Sequence, residues 1–325
     1  MNTMTARRHN FFSTSGLTYA GEAATPILTA ALLSGDTLAN NWVRTLEGIR
    51  HKGNFDIIGG TNLLQAAGCD FNDGNDITLT EKAITVKDLK VNETICRNTL
   101  LNTWLGTASG RNSNVGSPEF FNFIAAYVAA KVAEQVETII WQGNTGLSFT
   151  GFLGADGSAG TSTDLAAGTL AGCTSTTALS TITAGNAIEQ IGLAYSHAAD
   201  TKPAILSRST TGVYISPKTA ALYMQNLSTI GSSAGYNNQV TNQGFPNLQY
   251  LGVPVRVCPG FPDNAVLISD SDNLVVGTNL KTDLANVRII PAYEYDGSDN
   301  IKVVMNFQIG TEAGVETDSV YATVS

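Results

Sequence analysis

Apolar residues recur at Phe120, Phe121, Ile124, Val128, Val132, Val136, Ile139 and Ile140. Steps of three and four residues place them on one face of a helix. Ser117 stands where an N-cap belongs, Pro118 suits the first helical position, and Glu119 suits the positive helix end. Gly143 supplies the stop. The pattern predicts one helix over 118–142, about 37 Å long at 1.5 Å per residue. Ala125, Ala126, Ala129, Ala130 and Ala133 keep one side of it narrow, so that other backbone can pack close.

Elsewhere the pattern is more broken. Residues 1–35 show no lasting periodicity, with Gly16, Gly21 and Pro26 as breakers, and read as an arm that cannot form a core of its own. Asp36 offers an N-cap for a helix carrying Leu38, Trp42, Val43, Leu46 and Ile49, ended by Gly53. Residues 54–76 scatter Phe55, Ile57, Ile58, Leu63 and Leu64 among Gly59, Gly60, Gly68 and Gly74, and read as a projecting loop or hairpin. Alternation through Ile77, Leu79, Ala83 or Ile84, Val86, Leu89 and Val91 predicts strand over 77–92, and a short helix is expected over 93–105.

Beyond the long helix, 144–182 reads as loop, 184–199 as helix, and 204–206 and 213–215 as strand. Ser216-Pro217 opens another helix by the same cap-and-proline device. A polar loop fills 228–247, and short strands are expected at 251–258, 265–268 and 274–278. Two alternating runs, 287–294 and 301–309, close as a hairpin around Asp296, Gly297, Ser298, Asp299 and Asn300. Strands and helices in this order give an α+β fold.

Charge sharpens the picture. Only 14% of the 325 residues are charged, against roughly 25% in ordinary soluble domains, which suggests that much of the surface meets other protein. Net charge is −9. Residues 1–54 hold Arg7, Arg8, Arg44, Arg50 and Lys52 against Glu22, Asp36 and Glu47, so the acidity lies in the rest of the chain. An acidic body lacks the Lys and Arg stripe that tight phosphate binding needs. Cys69, Cys96, Cys173 and Cys258 show no zinc spacing and read as isolated reduced thiols. No apolar run approaches a membrane span, and the first residues lack the apolar stretch of a secretory signal; the expectation is a soluble protein that is not exported.

Candidate chemistry is thin. His9, His51 and His197 have no metal spacing, and neither GxxxxGK[ST] nor GxGxxG after a strand occurs. Asp70-Phe71-Asn72-Asp73-Gly74-Asn75-Asp76 is out of register for a calcium loop and reads as a turn. The chain is expected to be no enzyme and to hold no cofactor or metal, with its function in its surfaces.

Several phrases, in order, resemble the major capsid proteins of tailed bacteriophages, the family of the Hong Kong 97 fold. The strand segment over 77–96 leads to the long helix, which ends in Trp141-Gln142-Gly143-Asn144. Then come Gly151-Phe152-Leu153-Gly154, Tyr214-Ile215-Ser216-Pro217-Lys218, Leu251-Gly252-Val253-Pro254-Val255 and the closing strand pair. The resemblance runs from about residue 36 to 325. It implies an N-terminal arm with a short helix over 1–50, an E-loop over 51–90, a P domain over 91–145 with the long helix as spine, an A domain over 146–284, and P-domain return strands over 285–325.

The function so implied is a subunit that self-assembles into an icosahedral head of pentamers and hexamers around packaged double-stranded DNA, held without sequence-specific contact. The implied partners are copies of the chain itself, a separate scaffolding protein, a portal and, in some members, a decoration protein, with no membrane involved. Assembly would take place in the host cytoplasm, and the virion capsid would be its final place. Phe55, Ile57, Leu63, Leu64, Asp296, Asp299 and Asn300 are the expected assembly contacts. An encapsulin-type nanocompartment shell shares the implied fold, and a secreted adhesin or surface-layer protein shares the composition; both remain open.

Some members of the family join an E-loop lysine to a P-domain asparagine. Asn300 stands near the second position, but residues 53–81 contain no lysine. Assembled protein is therefore expected to run on a denaturing gel as a single monomer band, with no covalent ladder.

Overall fold

The structure, a computed structural model, describes residues 35–60, 77–96, 118–154, 179–229, 248–279, 287–292, 297–298, 300–315 and 318–323. The chain forms two compact units. One comprises Met1–Leu32, Leu89–Val132 and Thr282–Phe307, the other Leu33–Asp88, Ala133–Lys281 and Gln308–Ser325.

Helix α1 covers Asp36–Ala39, and α2 covers Pro118–Gln142, the bounds that proline and glycine foretold. Gly143 takes a left-handed conformation at φ 68° and its N–H bonds the Ile139 carbonyl at 2.9 Å. The next carbonyls are satisfied by a tight turn. Phe152 N–H donates to the Ile140 carbonyl and Leu153 N–H to that of Trp141, each at 2.9 Å. Residue 151 must be glycine for this, because a Cβ there would lie 2.4 Å from the Gly143 nitrogen. Phe152 and Leu153 are fully buried. The narrow alanine side is used as well: Gly35 lies against Ala133, where a Cβ would meet the Ala133 methyl at 3.6 Å.

The larger unit holds a five-stranded sheet in the order β12-β8-β5-β7-β6. Its strands are β5 (Thr211–Ile215), β6 (Gln249–Tyr250), β7 (Val253–Val257), β8 (Ala265–Asp270) and β12 (Ser319–Thr323). Strands β5 and β7 are parallel, and the other pairs are antiparallel. Helices α3 (Ala187–Thr201) and α5 (Pro217–Thr229) contribute Ile191, Ala194, Tyr223 and Leu227 to a core with Val213, Ile215, Val255, Val266 and Ile268. Ser216 caps α5, its Oγ accepting from the Thr219 N–H at 3.2 Å.

In the same unit β1 (Arg44–Leu46) pairs in parallel with β9 (Leu274–Thr278), which pairs antiparallel with the later part of β11 (Asn300–Ala313). In the other unit β10 (Arg288–Pro291) pairs antiparallel with the start of β11, Pro291 facing Ile301. Strand β4 (Lys87–Cys96) also pairs with β11.

Four expectations change. The helix expected from Asp36 to Gly53 stops after one turn. Asn41 enters the left-handed region at φ 53°, and residues 44–46 join a sheet that buries Val43 and Ile49. Sheet pairing outweighs a periodicity that the two asparagines, 40 and 41, already weaken. Residues 204–206, expected as strand, belong to the single helical turn α4 (Pro203–Leu206), because Pro203 presets the first helical φ and Ser207 Oγ binds the Ala204 carbonyl at 2.8 Å. Residues 93–96 continue β4 rather than begin a helix, and 97–105 lie outside the described residues. Strand β12 has no counterpart among the sequence expectations.

Replacing Gly151 by Ala should cost about 1–3 kcal/mol, as overpacking against backbone does. Gly185→Ala, where the nearest atom to a new methyl is 4.0 Å away, should shift stability by less than about 0.5 kcal/mol. Thermal unfolding of the two variants checks both.

Candidate assembly surface

Strands β2 (Lys52–Gly60) and β3 (Ile77–Thr85) pair as a two-stranded antiparallel ribbon. Side chains alternate across its two faces. One face carries Phe55 opposite Lys82, Ile57 opposite Thr80, and Gly53 opposite Ile84. It turns toward the body of its own unit. Ile84 is fully buried with Ile49, Val86 and Val275, and Phe55 packs on that cluster. Lys82 Nζ donates to the Ala313 carbonyl at 3.0 Å and pairs with Glu312 at 3.4 Å. Both charged groups are largely covered, so this contact also fixes the ribbon's orientation.

The other face carries Ile58 opposite Leu79 and Gly60 opposite Ile77. These three aliphatic side chains are 76%, 68% and 67% exposed. They adjoin one another along the register, and each would gain about 1.5–3 kcal/mol on full burial. Next to them Asp56 faces Glu81 directly, an arrangement of like charges that weakens a sheet. Asn54 Nδ2 donates to Glu81 on this same face. The ribbon thus shows water an apolar end and an acidic rung, a combination that a cation-bearing apolar surface would complement.

The expected contact residues divide. Phe55 and Ile57 lie on the inward face and are half-buried. Leu63, Leu64, Asp296 and Asp299 lie outside the described residues. Asn300 is half-buried at the start of β11, where its Nδ2 donates to Ser298 Oγ at 3.2 Å. Ile58, Ile77 and Leu79 were not anticipated as contacts. A signal existed: Ile57-Ile58 are adjacent, so one of them must face outward. The apolar positions of β3 also change parity, from Ile77 and Leu79 to Ile84. Elsewhere Leu251, 69% exposed, sits at φ 46° in the β6–β7 turn, and Ile290 is 42% exposed opposite Lys302.

Among the described residues no group of His, Cys, Asp and Glu could hold a metal ion, and no helix is long and apolar enough to cross a membrane.

No protein-family model matches the chain, and no curated protein matches it. Solved structures do. A structure of Gordonia phage Cozz superposes with a TM-score of 0.57 at 14% identity, covering 92% of this chain and 89% of that one. The capsid of the Cyanophage P-SCSP1u gives 0.55 at 13% identity, covering 95% and 92%. The capsid of an empty GTA particle gives 0.54 at 14% identity, covering 93% and 94%. Identity is low but coverage is nearly complete in both directions, so the likeness embraces the whole architecture: the chain has the Hong Kong 97-type capsid fold.

Proposed function

We propose that this chain is the major capsid protein of a tailed bacteriophage, a structural rather than catalytic subunit whose copies close into an icosahedral shell. The observation that carries the reading is coverage: solved capsids match this chain over more than nine-tenths of its length and of theirs. The outward ribbon face supports it, since three exposed aliphatics beside an acidic rung suit burial against a neighbour. Heterologous contacts of this kind close on symmetry axes into rings.

In this proposal residues 1–50 are the arm with the segment that anchors it, 51–90 the E-loop, 91–145 and 285–325 the P domain, and 146–284 the A domain. Pentamers and hexamers enclose double-stranded DNA without sequence-specific contact, in keeping with the acidic balance of the chain. A separate scaffolding protein and a portal act during assembly in the host cytoplasm, and the virion capsid is the final location.

Electron microscopy of the expressed protein tests the reading. Closed icosahedral particles, or pentameric and hexameric rings, are expected; a lone monomer at high concentration would overturn it. DNA inside native particles supports a phage head, whereas packaged enzyme would point to a nanocompartment.

The ribbon gives a sharper expectation. Ile58→Lys with Leu79→Lys should leave thermal stability within about 0.5 kcal/mol, since both side chains are exposed, yet abolish particles in sedimentation. Phe55→Ala should instead lower stability, by about 1–3 kcal/mol, because its ring packs on the Ile84 cluster.

A further inference from the structure

Strands β6 and β7 are joined by two residues, Leu251 and Gly252, since Tyr250 pairs with Val253. Both loop residues have positive φ, 46° and 87°, as a type I′ hairpin turn requires. The second position holds the glycine that such turns favour. The first, where asparagine, aspartate or glycine is usual, holds leucine. A left-handed leucine brings its Cβ close to the following carbonyl oxygen and is strained. Among the described residues, the other non-glycine positions with positive φ are Asn41, Ser148 and Asn264. All are short and polar, and asparagine tolerates this region through local hydrogen bonds. Leu251 departs from them in both size and polarity.

The leucine gains little from its own chain in return. It is 69% exposed, and a Cβ placed on Gly252 would meet no atom within 4 Å. The base of the turn is nonetheless firmly braced. The Tyr250 ring lies 5.6 Å from that of Tyr195 on α3 and 6.3 Å from that of Tyr223 on α5. Its Oη comes so close to α3 that a Cβ on Gly192 would lie 2.6 Å away. Tyr223 Oη donates to the Gln249 carbonyl at 3.1 Å, and the Val255 N–H donates to the Leu248 carbonyl at 2.8 Å. Further along β7, Arg256 donates to the Thr210 carbonyl at 2.8 Å and to the Trp42 carbonyl at 3.1 Å, which also accepts from Tyr214 Oη at 2.7 Å. A braced tip thus holds a large apolar side chain in water, in a conformation that disfavours it. Strain of this kind persists where the surroundings enforce it, and it gathers at sites of use.

We propose that Leu251 is an assembly knob, a side chain held out by the β6–β7 turn for burial against a second copy of this chain. The inference deepens the proposed function and rests on it. Size argues for a copy rather than a foreign partner. One leucine covers a small fraction of the roughly 1,200–2,000 Å² that a specific one-to-one complex buries. It suits a contact repeated around a ring, in which every copy presents the knob once and receives it once.

Leu251→Asn separates this role from a merely structural one, because the two predict opposite signs. Asparagine relieves the left-handed strain and removes the apolar side chain. The melting temperature of dilute, unassembled protein should rise by about 1–3 °C. In sedimentation, the concentration at which particles form should rise about tenfold or more, the effect of leaving one leucine unburied per contact. Leu251→Met, as strained and as apolar, should match the wild type in both measurements. A clear fall in the melting temperature of Leu251→Asn would overturn the knob, since the side chain would then belong to its own chain's packing. Loss of particles in Leu251→Met as complete as in Leu251→Asn would also overturn it, because apolar character would not be what the contact reads. Absence of particles from the wild type would sink the capsid reading, and the knob with it. Particles from the wild type and from Leu251→Asn at the same concentration would sink the knob alone and leave the leucine to a different partner.

Discussion

Two turns at the end of the long helix have to satisfy their own carbonyls and, at the same time, hold segments from distant parts of the chain. Glu137 and Trp141 take Thr37. The carbonyls of Ile140 and Trp141 take the turn at Phe152 and Leu153. Gln142 Nε2 donates to the Gly260 carbonyl at 2.7 Å, and Gly260 itself comes so near that a Cβ would lie 2.3 Å from the Glu137 carbonyl. The Trp141 ring lies 5.2–5.5 Å from the rings of Phe261, Tyr214 and Phe152. Edge and tilted aromatic contacts add directionality to burial. Four chain segments thus meet on a surface two turns long, and the larger unit is organised around it.

This concentration explains what could be read from sequence. The long helix announced itself because its stop signals are local: proline at one end, glycine at the other. The phrases Trp141–Asn144 and Gly151–Leu153 were visible as words, and the structure supplies their reason, a turn folded back onto open carbonyls. Residues 36–49 were misread because their geometry is dictated from outside, by Glu137, Tyr214, Arg256 and strand β9. Apolar spacing at Leu38, Trp42, Val43 and Leu46 fits a helix equally well. The turn at 203–206 was missed for a smaller reason, the weight given to Ile205-Leu206 over Pro203.

The outward ribbon face was half legible. Alternation over 77–92 identified strand correctly, but it left open whether Ala83 or Ile84 continues the apolar face. The pattern changes parity between Leu79 and Ile84, and that change divides the part of β3 that packs on its own unit from the part that is exposed. Lys82 lies just on the packed side, held by Glu312 and the Ala313 carbonyl. In a chain with few charges, that pair and the Asp56–Glu81 rung mark where orientation matters.

A two-stranded ribbon has a further property: among the described residues, both of its outer edges carry backbone groups without a ladder partner. Such edges can template indiscriminate strand addition, the route to aggregates. Gly53, Gly59 and Gly60 lower the strand propensity of β2, and the acidic rung makes stacking of ribbon on ribbon repulsive. Under the proposed assembly, a molecule that meets its own copies must do so in one geometry only. On that proposal, the features that weaken this ribbon in isolation would also keep unassembled copies apart.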